Sequence, residues 1–452
     1  MYKKRSLIAI AAAVLSFTVL FSACSSNKPG TAEQNEISEQ SAKVLKDLLD
    51  MKMTIFIEQA TDGLKAMVEK VNSNKDLAVH INLDVIVGGI DGENLVKVKF
   101  ASGDYPELLA QINAQWIKLN LNNGVNFLDI SDNWVKNFPD NIIKSNSCSI
   151  NGKVIAQPFA GAQCWVMYYN KQVFSDLKLS IPKTWDQLLT ISSKIKAAGI
   201  APVYYAGKTT WSLNIIPVLT STKDYIGSFN DYSQKYHENK IKNVDRKNYI
   251  DGIYKTKELV DKRYVNATFL SDTHPMAQEA LIGGKTAMYA GLSSLAPRLA
   301  DTYPDKYQNI GAFAIPVGDE NTQYLCQEIG KVLTATDRIK DVNRAKELFD
   351  YLGSKEVQMA YFEKNPDLPV CNLISSSDLN LTPAQKDILD LKNSRNVKSE
   401  PGLTDEYNSG VDVPGGIAQI LATKNYTPED LMKEIDDGIA KTAKEANDPN
   451  WE

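Results

Sequence analysis

Between Met53 and Ala110 the hydrophobic period switches repeatedly, and this switching restricts the chain to few folds. Met53 to Ile57 is a short apolar run of strand character. Leu64, Met67, Val68 and Val71 then recur at helical spacing, and Val79, Ile81, Leu83 and Val85 alternate as one face of a strand does. A further short helix leads to a third strand at Glu107 to Ala110. Strand, helix, strand, helix, strand predicts parallel βαβ units and an α/β fold, whose loops open where such sheets bind ligands, at the carboxyl ends of the strands.

Helix boundaries are well marked farther along. Thr184 with Gln187 reads as a capping box, in which each side chain takes the other's orphan backbone N–H. That helix ends at Gly199, where a left-handed residue costs little, and Ile200 to Tyr205 follows as a strand. Thr382, Pro383 and Gln385 repeat the box, as do Thr427, Pro428 and Asp430. After Asp341 helices dominate, with Gly353 and Ser354 separating two of them, so the α/β body carries a helical tail.

The first residues address the chain rather than fold it. Lys3, Lys4 and Arg5 precede a run from Leu7 to Phe21 that is apolar apart from Ser16 and Thr18 and closes on Ser22, Ala23 and Cys24. This resembles a bacterial lipoprotein signal over residues 1 to 23, with Cys24 as the lipidated first residue; the competing reading is an uncleaved membrane anchor. Phe21 stands where such signals usually carry Leu. Palmitate-type lipidation at Cys24 would hold the body on the extracytoplasmic face of the bacterial cell membrane, several acyl chains making a stable anchor. Residues 24 to 52 read as a polar, flexible tether, in which Val44, Leu45, Leu48 and Leu49 can form a short amphipathic turn.

A chain of 452 residues exceeds one ordinary core and predicts two domains. Of its 50 basic and 55 acidic residues, removal of Lys3, Lys4 and Arg5 with the leader leaves 47 against 55, a formal net of −8. An acidic body without a basic cluster argues against nucleic acid as a partner. Cys148, Cys164, Cys326 and Cys371 allow three disulfide pairings, and free buried thiols fit equally.

Catalytic patterns fail one by one. His80, His237 and His274 are far apart and in no metal-ligand spacing, so each reads as a surface or structural residue. Gly291-Leu292-Ser293-Ser294-Leu295 lacks the final glycine of a nucleophile elbow. Ser180 to Lys183 and Ser193 to Lys196 match SxxK without a KTG partner. Gly207-Lys208-Thr209 and Gly284-Lys285-Thr286 have Pro202 and Glu279 where a phosphate loop needs its other glycine. No cofactor and no metal is expected, and the chain does not read as an enzyme.

Longer segments carry the positive signal. Gly152 to Phe159 leads into Met167-Tyr168-Tyr169-Asn170-Lys171, followed by Pro182 to Asp186 and Ala197 to Pro202. Gly283 to Tyr289, Asn309 to Pro316, Ala345 to Leu352 and Ser354 to Gln358 come later, in that order. Together they make the chain from Met53 onward resemble the family 1 extracellular solute-binding proteins of ABC-type carbohydrate importers. The resemblance implies a type II periplasmic-binding-protein-like fold: two interleaved α/β lobes joined by hinge crossings, closing on ligand like a jaw. It places crossings near Phe159 to Cys164, Pro316 to Thr322 and Tyr351 to Ser354. The N-terminal lobe would be residues 53–160 plus 318–352, and the C-terminal lobe 164–316 plus 355–452.

A sugar offers apolar C–H faces to aromatic rings and paired hydroxyls to Asp, Glu, Asn and Gln. The candidates at strand ends and crossings are Glu58, Gln59, Asp104, Gln111, Gln163, Trp165 and Trp211, with Gly291, Ser293 and, more weakly, Asn372. Asp104 can equally cap its turn, Gln163 and Trp165 can pack in the core, and Trp185 reads as core. Trp134 and Trp116 are undecided. Relatives often show Gly-Gly-Ser-Trp where this chain has Gly291-Leu292-Ser293-Ser294, so one tryptophan platform is missing. The implied partners are a carbohydrate and the permease subunits of an ABC importer, with the ATPase reached indirectly and the chain itself a monomer. The alternatives are an exported glycan-degrading lipoprotein using a carboxylate pair, the same fold binding a peptide, polyamine or metal, or a docking-only surface lipoprotein.

Overall fold

Parallel pairing begins upstream of the predicted Met53. Strand β1 (Leu49–Phe56) runs beside β2 (Val79–Ile86) with Leu49 facing Val79, so Leu49 belongs to a strand rather than to an amphipathic turn. This is seen in a computed structural model that describes residues 49–56, 61–86, 89–110, 113–329, 332–365, 368–405 and 407–451. The leader, Cys24 and most of the expected tether lie outside the described residues.

Helix α1 (Asp62–Ser73) connects the two strands and buries Leu64, Met67, Val68 and Val71, the residues whose spacing announced it. The Thr61 hydroxyl caps it by accepting the Leu64 N–H at 3.3 Å. Helix α2 (Gly89–Ser102) leads to β3 (Leu108–Ala110), parallel to β1, and α3 (Ala114–Asn120) follows. After β4 (Ala156–Pro158) the chain leaves this sheet over residues 159–162 and enters β5 (Gln163–Asn170), the central strand of a second sheet.

The second sheet collects β6 (Ala201–Tyr204), β7 (Thr286–Leu292), β8 (Ile310–Phe313) and β9 (Gln323–Glu328). Around them pack α4 (Trp185–Ala197), α5 (Phe229–His237), α6 (Lys247–Asp261), α7 (His274–Ile282) and α8 (Leu295–Thr302). Strand β9 lies antiparallel to β5, with Gln327 opposite Cys164. The expected crossing at Pro316 to Thr322 is therefore a turn within the second lobe, where the Asp319 carboxylate accepts the N–H groups of Asn321 and Thr322, each at 2.8 Å. The chain returns instead between the end of β9 and β10 (Val332–Ala335), which pairs antiparallel with β3 and β4.

The expected crossing at Tyr351 to Ser354 is also displaced. Helices α9 (Val342–Leu352) and α10 (Lys355–Lys364) both stay with the first lobe. Helix α10 packs on α1 and buries Val357, Tyr361 and Phe362 in the first core. The Gly353 carbonyl accepts from Asn137 Nδ2 at 3.1 Å within that lobe. The third passage falls between Ile374, in the first core, and Leu381, in the second lobe's core. Residues 323–328 thus go with the second sheet and 355–364 with the first.

The tail contains α11 (Pro383–Asn393), β11 (Val397–Pro401), α12 (Val413–Ala422) and α13 (Pro428–Glu445), with β11 parallel to β9. The boxes at Thr382 and Thr427 form completely. At Thr184 only half forms, because Gln187 Oε1 takes the Lys183 N–H at 2.8 Å instead. Gly199 is left-handed, as its place after α4 requires.

The sheet orders are β2-β1-β3-β10-β4 and β11-β9-β5-β7-β6, with β8 on the remaining edge length of β5. Along β5, Trp165 and Met167 enter the core on one face while Cys164, Val166 and Tyr168 enter the core on the other. Period-two alternation with both faces covered makes the strand apolar throughout. Cys148, Cys164, Cys326 and Cys371 are all free thiols, and all are buried.

Candidate functional site

Pairing directions decide where a site can form. Strands β6 and β7 are parallel to each other and antiparallel to β5, so their carboxyl ends meet the amino end of β5. The 159–162 crossing and the return from β9 to β10 join that edge to the carboxyl edge of the first sheet. Two strand-end edges consequently flank the crossings, and this is the cleft.

On the second-lobe side, Trp165 near the start of β5 is only 6% exposed. Its ring meets Trp211 edge to face with centroids 6.3 Å apart. Trp211 sits on the 3₁₀ turn Thr210–Asn214 beyond β6 and is 37% exposed. Its ring packs at 4.7 Å on His274, the first residue of α7, and His274 Nδ1 is hydrogen-bonded to the Tyr289 hydroxyl of β7. Burial holds the Tyr289 phenol above its usual range, so it keeps its proton. Burial, then the charge of Arg298, pushes the His274 imidazole down to about 4. Trp211, His274 and Tyr289, with Gly291 and Arg298, line a pocket of about 110 Å³.

Part of the frame is fixed from behind. Tyr204 donates to Asp272 at 2.5 Å, and Asn266 Nδ2 and the Thr268 hydroxyl each donate to the same carboxylate at 2.8 Å. Burial alone would raise the Asp272 carboxyl, but these three bonds hold it below its usual range. The segment leading from β6 to α7 is thereby tied down, and with it the approach to His274.

The predicted residues divide clearly. Trp165, Trp211 and Gly291 come together, with half-buried Gln163 at the start of β5. Ser293 does not join them: it is fully buried, and its hydroxyl accepts the Cys164 N–H at 3.0 Å, so it locks β5 to the end of β7. Asp104 is exposed at the amino end of β3, across the sheet from the cleft, where its N–H closes the end of α2 on the Lys99 carbonyl. Asn372 is exposed, with its N–H on the Asn137 carbonyl at 2.8 Å on the first-lobe side. Glu58, Gln59 and Gln111, which come after β1 and β3 in the chain, lie outside the described residues.

Sequence reasoning missed His274, which it read as a surface or structural residue, and also Tyr289 and Arg298. The one signal was Tyr289 at the end of the Gly283 to Tyr289 segment. Trp185 is core, its Nε1 donating to Glu258 at 2.7 Å, and Trp134 is core as well. Trp116 is half-buried with its Nε1 on Glu93 at 3.1 Å.

The facing lobes approach beside β11, where the Gln115 side-chain amide on α3 donates to the Asp405 carbonyl. A second, polar groove of about 450 Å³ runs between Lys144, Ser145 and Asn146 and the α5 residues Phe229, Gln234 and His237. It contains none of the predicted aromatic residues. Among the described residues no cluster could hold a metal ion, and no helix is long and apolar enough to cross a membrane.

Comparison with known proteins agrees with this geometry. The Multiple sugar-binding protein of Streptococcus mutans is 22% identical over 370 residues, covering 80% of this chain and 81% of that protein. The Melibiose/raffinose/stachyose-binding protein MelE of Bacillus subtilis is 24% identical over 428 residues, covering 90% and 92%. The solved structure of a Bacillus licheniformis sugar transporter protein in complex with stachyose matches with a TM-score of 0.65 at 20% identity, covering 87% of this chain and all of that one. The structure of RafE with raffinose matches with a TM-score of 0.68 at 17% identity, covering 86% and 98%. These structures show the α/β periplasmic-binding-protein-like fold. The profile of the bacterial extracellular solute-binding proteins matches residues 58–359. With that match over most of its length, the chain belongs to the bacterial extracellular solute-binding protein family 1, non-enzymatic binders related to the sugar-binding proteins of ABC importers.

Proposed function

We propose that this protein captures a sugar or oligosaccharide outside the cytoplasm and delivers it intact to the permease of an ABC importer. The observation that carries the reading is the convergence of Trp165, Trp211 and Tyr289 at the cleft edge of the second sheet. Half-exposed Trp211 offers a face to the C–H side of a sugar ring, and Trp165 braces it edge-on. Glu58, Gln59 and Gln111 would supply hydroxyl partners from the opposite lobe, with Gln163 at the crossing. Sugar held first on one wall and then touched by the other favours the closed jaw, because only that form makes both sets of contacts. Relatives named for binding multiple sugars, melibiose, raffinose and stachyose support this assignment.

The leader adds the location: Cys24 is the lipid-bearing residue that keeps the capture domain beside its permease. Titration calorimetry of the full-length protein in mild detergent, with raffinose, melibiose and maltose, tests the first claim. Saturable binding without turnover is expected, and hydrolysis of the sugar, or no binding of any saccharide, neutral or charged, would overturn it. Labelled palmitate should enter the wild-type protein and not Cys24→Ser; equal labelling would reject the anchor.

A further inference from the structure

The pocket beside Trp211 has an asymmetry that a neutral sugar does not need. Among the described residues its lining contains no Asp and no Glu, and Arg298 is the only permanently charged side chain. Arg298 is exposed and forms no ion pair with any carboxylate among the described residues, Asp301 on the same helix included. His274 Nδ1 is hydrogen-bonded to the Tyr289 hydroxyl, and the buried His274 Nε2 has no partner among the described residues. The buried Trp165 Nε1 has none either. The acceptors available beside them are neutral, the Gln278 amide and the Ser294 hydroxyl.

A sugar hydroxyl both donates and accepts, so an unpaired guanidinium and indole N–H satisfy only half of it. An ionised acid accepts at every lone pair and donates nothing. An anion entering a partly desolvated pocket also needs a paired cation, and the guanidinium fork fits a carboxylate, sulfate or phosphate in two parallel bonds. Resting on the carbohydrate-capture reading, we propose that this site selects a saccharide bearing an anionic group, with Arg298 as its counter-ion and Trp165 Nε1 as a supporting donor. Trp211 covers the ring while Arg298 reads the charge.

The test compares matched pairs on full-length protein in mild detergent at low salt: digalacturonate against melibiose, and glucose 6-phosphate against glucose. The charged member of at least one pair should bind about tenfold tighter or better, a preference that shrinks as salt is raised. Preference within the first pair assigns a carboxylate, and within the second a phosphate ester; either sustains the proposal. Arg298→Gln should bring charged and neutral ligands level, while Arg298→Lys keeps part of the gap. Because Arg298 is exposed, unliganded melting temperatures of both variants should match the wild type and certify folding. Neutral sugars binding as well as their charged counterparts would overturn this inference and leave carbohydrate capture standing. Failure of every saccharide would overturn both.

Discussion

The Ser293 N–H donates to the Cys164 carbonyl at 2.8 Å while the Ser293 hydroxyl accepts the Cys164 N–H at 3.0 Å. The pair fastens the end of β7 to the start of β5, and Tyr168 reinforces it by donating to the Leu292 carbonyl at 2.8 Å. Gly291 and Trp165 both sit within this clamp, so the cleft wall is built on paired backbone. Ser293→Ala should leave a buried N–H without an acceptor and lower stability by about 1–3 kcal/mol. Urea unfolding measures this, and an unchanged midpoint would refute the clamp.

The two edge-to-face tryptophans should separate binding from folding. Trp211→Ala removes a half-exposed ring, so sugar affinity should fall by about tenfold or more while stability changes by about 1 kcal/mol or less. Trp165→Ala empties a buried site and should cost about 3–5 kcal/mol of stability. Calorimetric titration beside thermal unfolding distinguishes them; equal stability losses would reject the division.

Acid should weaken the protein through His274. Its folded-state value is lowered to about 4 against an ordinary 6.5, so the unfolded chain binds the proton more readily. The contribution to stability is whole above pH 6.5, declines as pH falls toward about 4, and levels off below that. The groups facing the ring are Tyr289, hydrogen-bonded at Nδ1, and Arg298, whose charge repels an imidazolium. His274→Gln should flatten this part of the pH–stability curve; an unaltered slope would refute the assignment.

A buried cation supports the opposite rim. Arg246 is 8% exposed, lies over the rings of Tyr236 and Tyr249 at 5.6 and 4.6 Å, and donates to Asn243 at 3.0 Å. Burial raises the nearby Asp405 carboxyl, against the bond from Tyr236 and the charge of Arg246. Arg246→Met strands Asp405 and should cost about 3–5 kcal/mol. Gln115→Ala removes the amide contact to the Asp405 carbonyl, and small-angle scattering should then show a more open unliganded body. Identical profiles would dismiss that contact as a latch.

All four described cysteines should resist modification. Burial pushes the Cys148 thiol up to about 12 and raises Cys371, which leaves almost no thiolate to react. Native protein should take up no aromatic disulfide reagent at pH 8, whereas denatured protein should titrate four thiols without prior reduction. Recovery of fewer thiols would indicate a disulfide.

Much of the fold was legible because its causes are local. The apolar periods of α1 and β2, the caps at Thr382 and Thr427 and the left-handed Gly199 are each settled within a few residues of chain. The misplaced crossings show where that ends. Nothing between Pro316 and Thr322 announces that β9 will pair with β5, because strand partners come from distant segments competing for one edge. The same holds for Ser293, whose hydroxyl looked available until a strand far upstream took it.

The amino-acid order alone determined an α/β body, the apolar faces of its elements, the ends of most helices and a supply of aromatic residues near strand ends. These follow from propensity, side-chain period and capping, which act over neighbouring positions. Only the tertiary structure decided that Trp211, His274, Tyr289 and Arg298 share one pocket with Trp165 packed against it, and that Asp104 does not. Strand direction and register across a sheet bring such residues together, and they depend on every segment being packed at once.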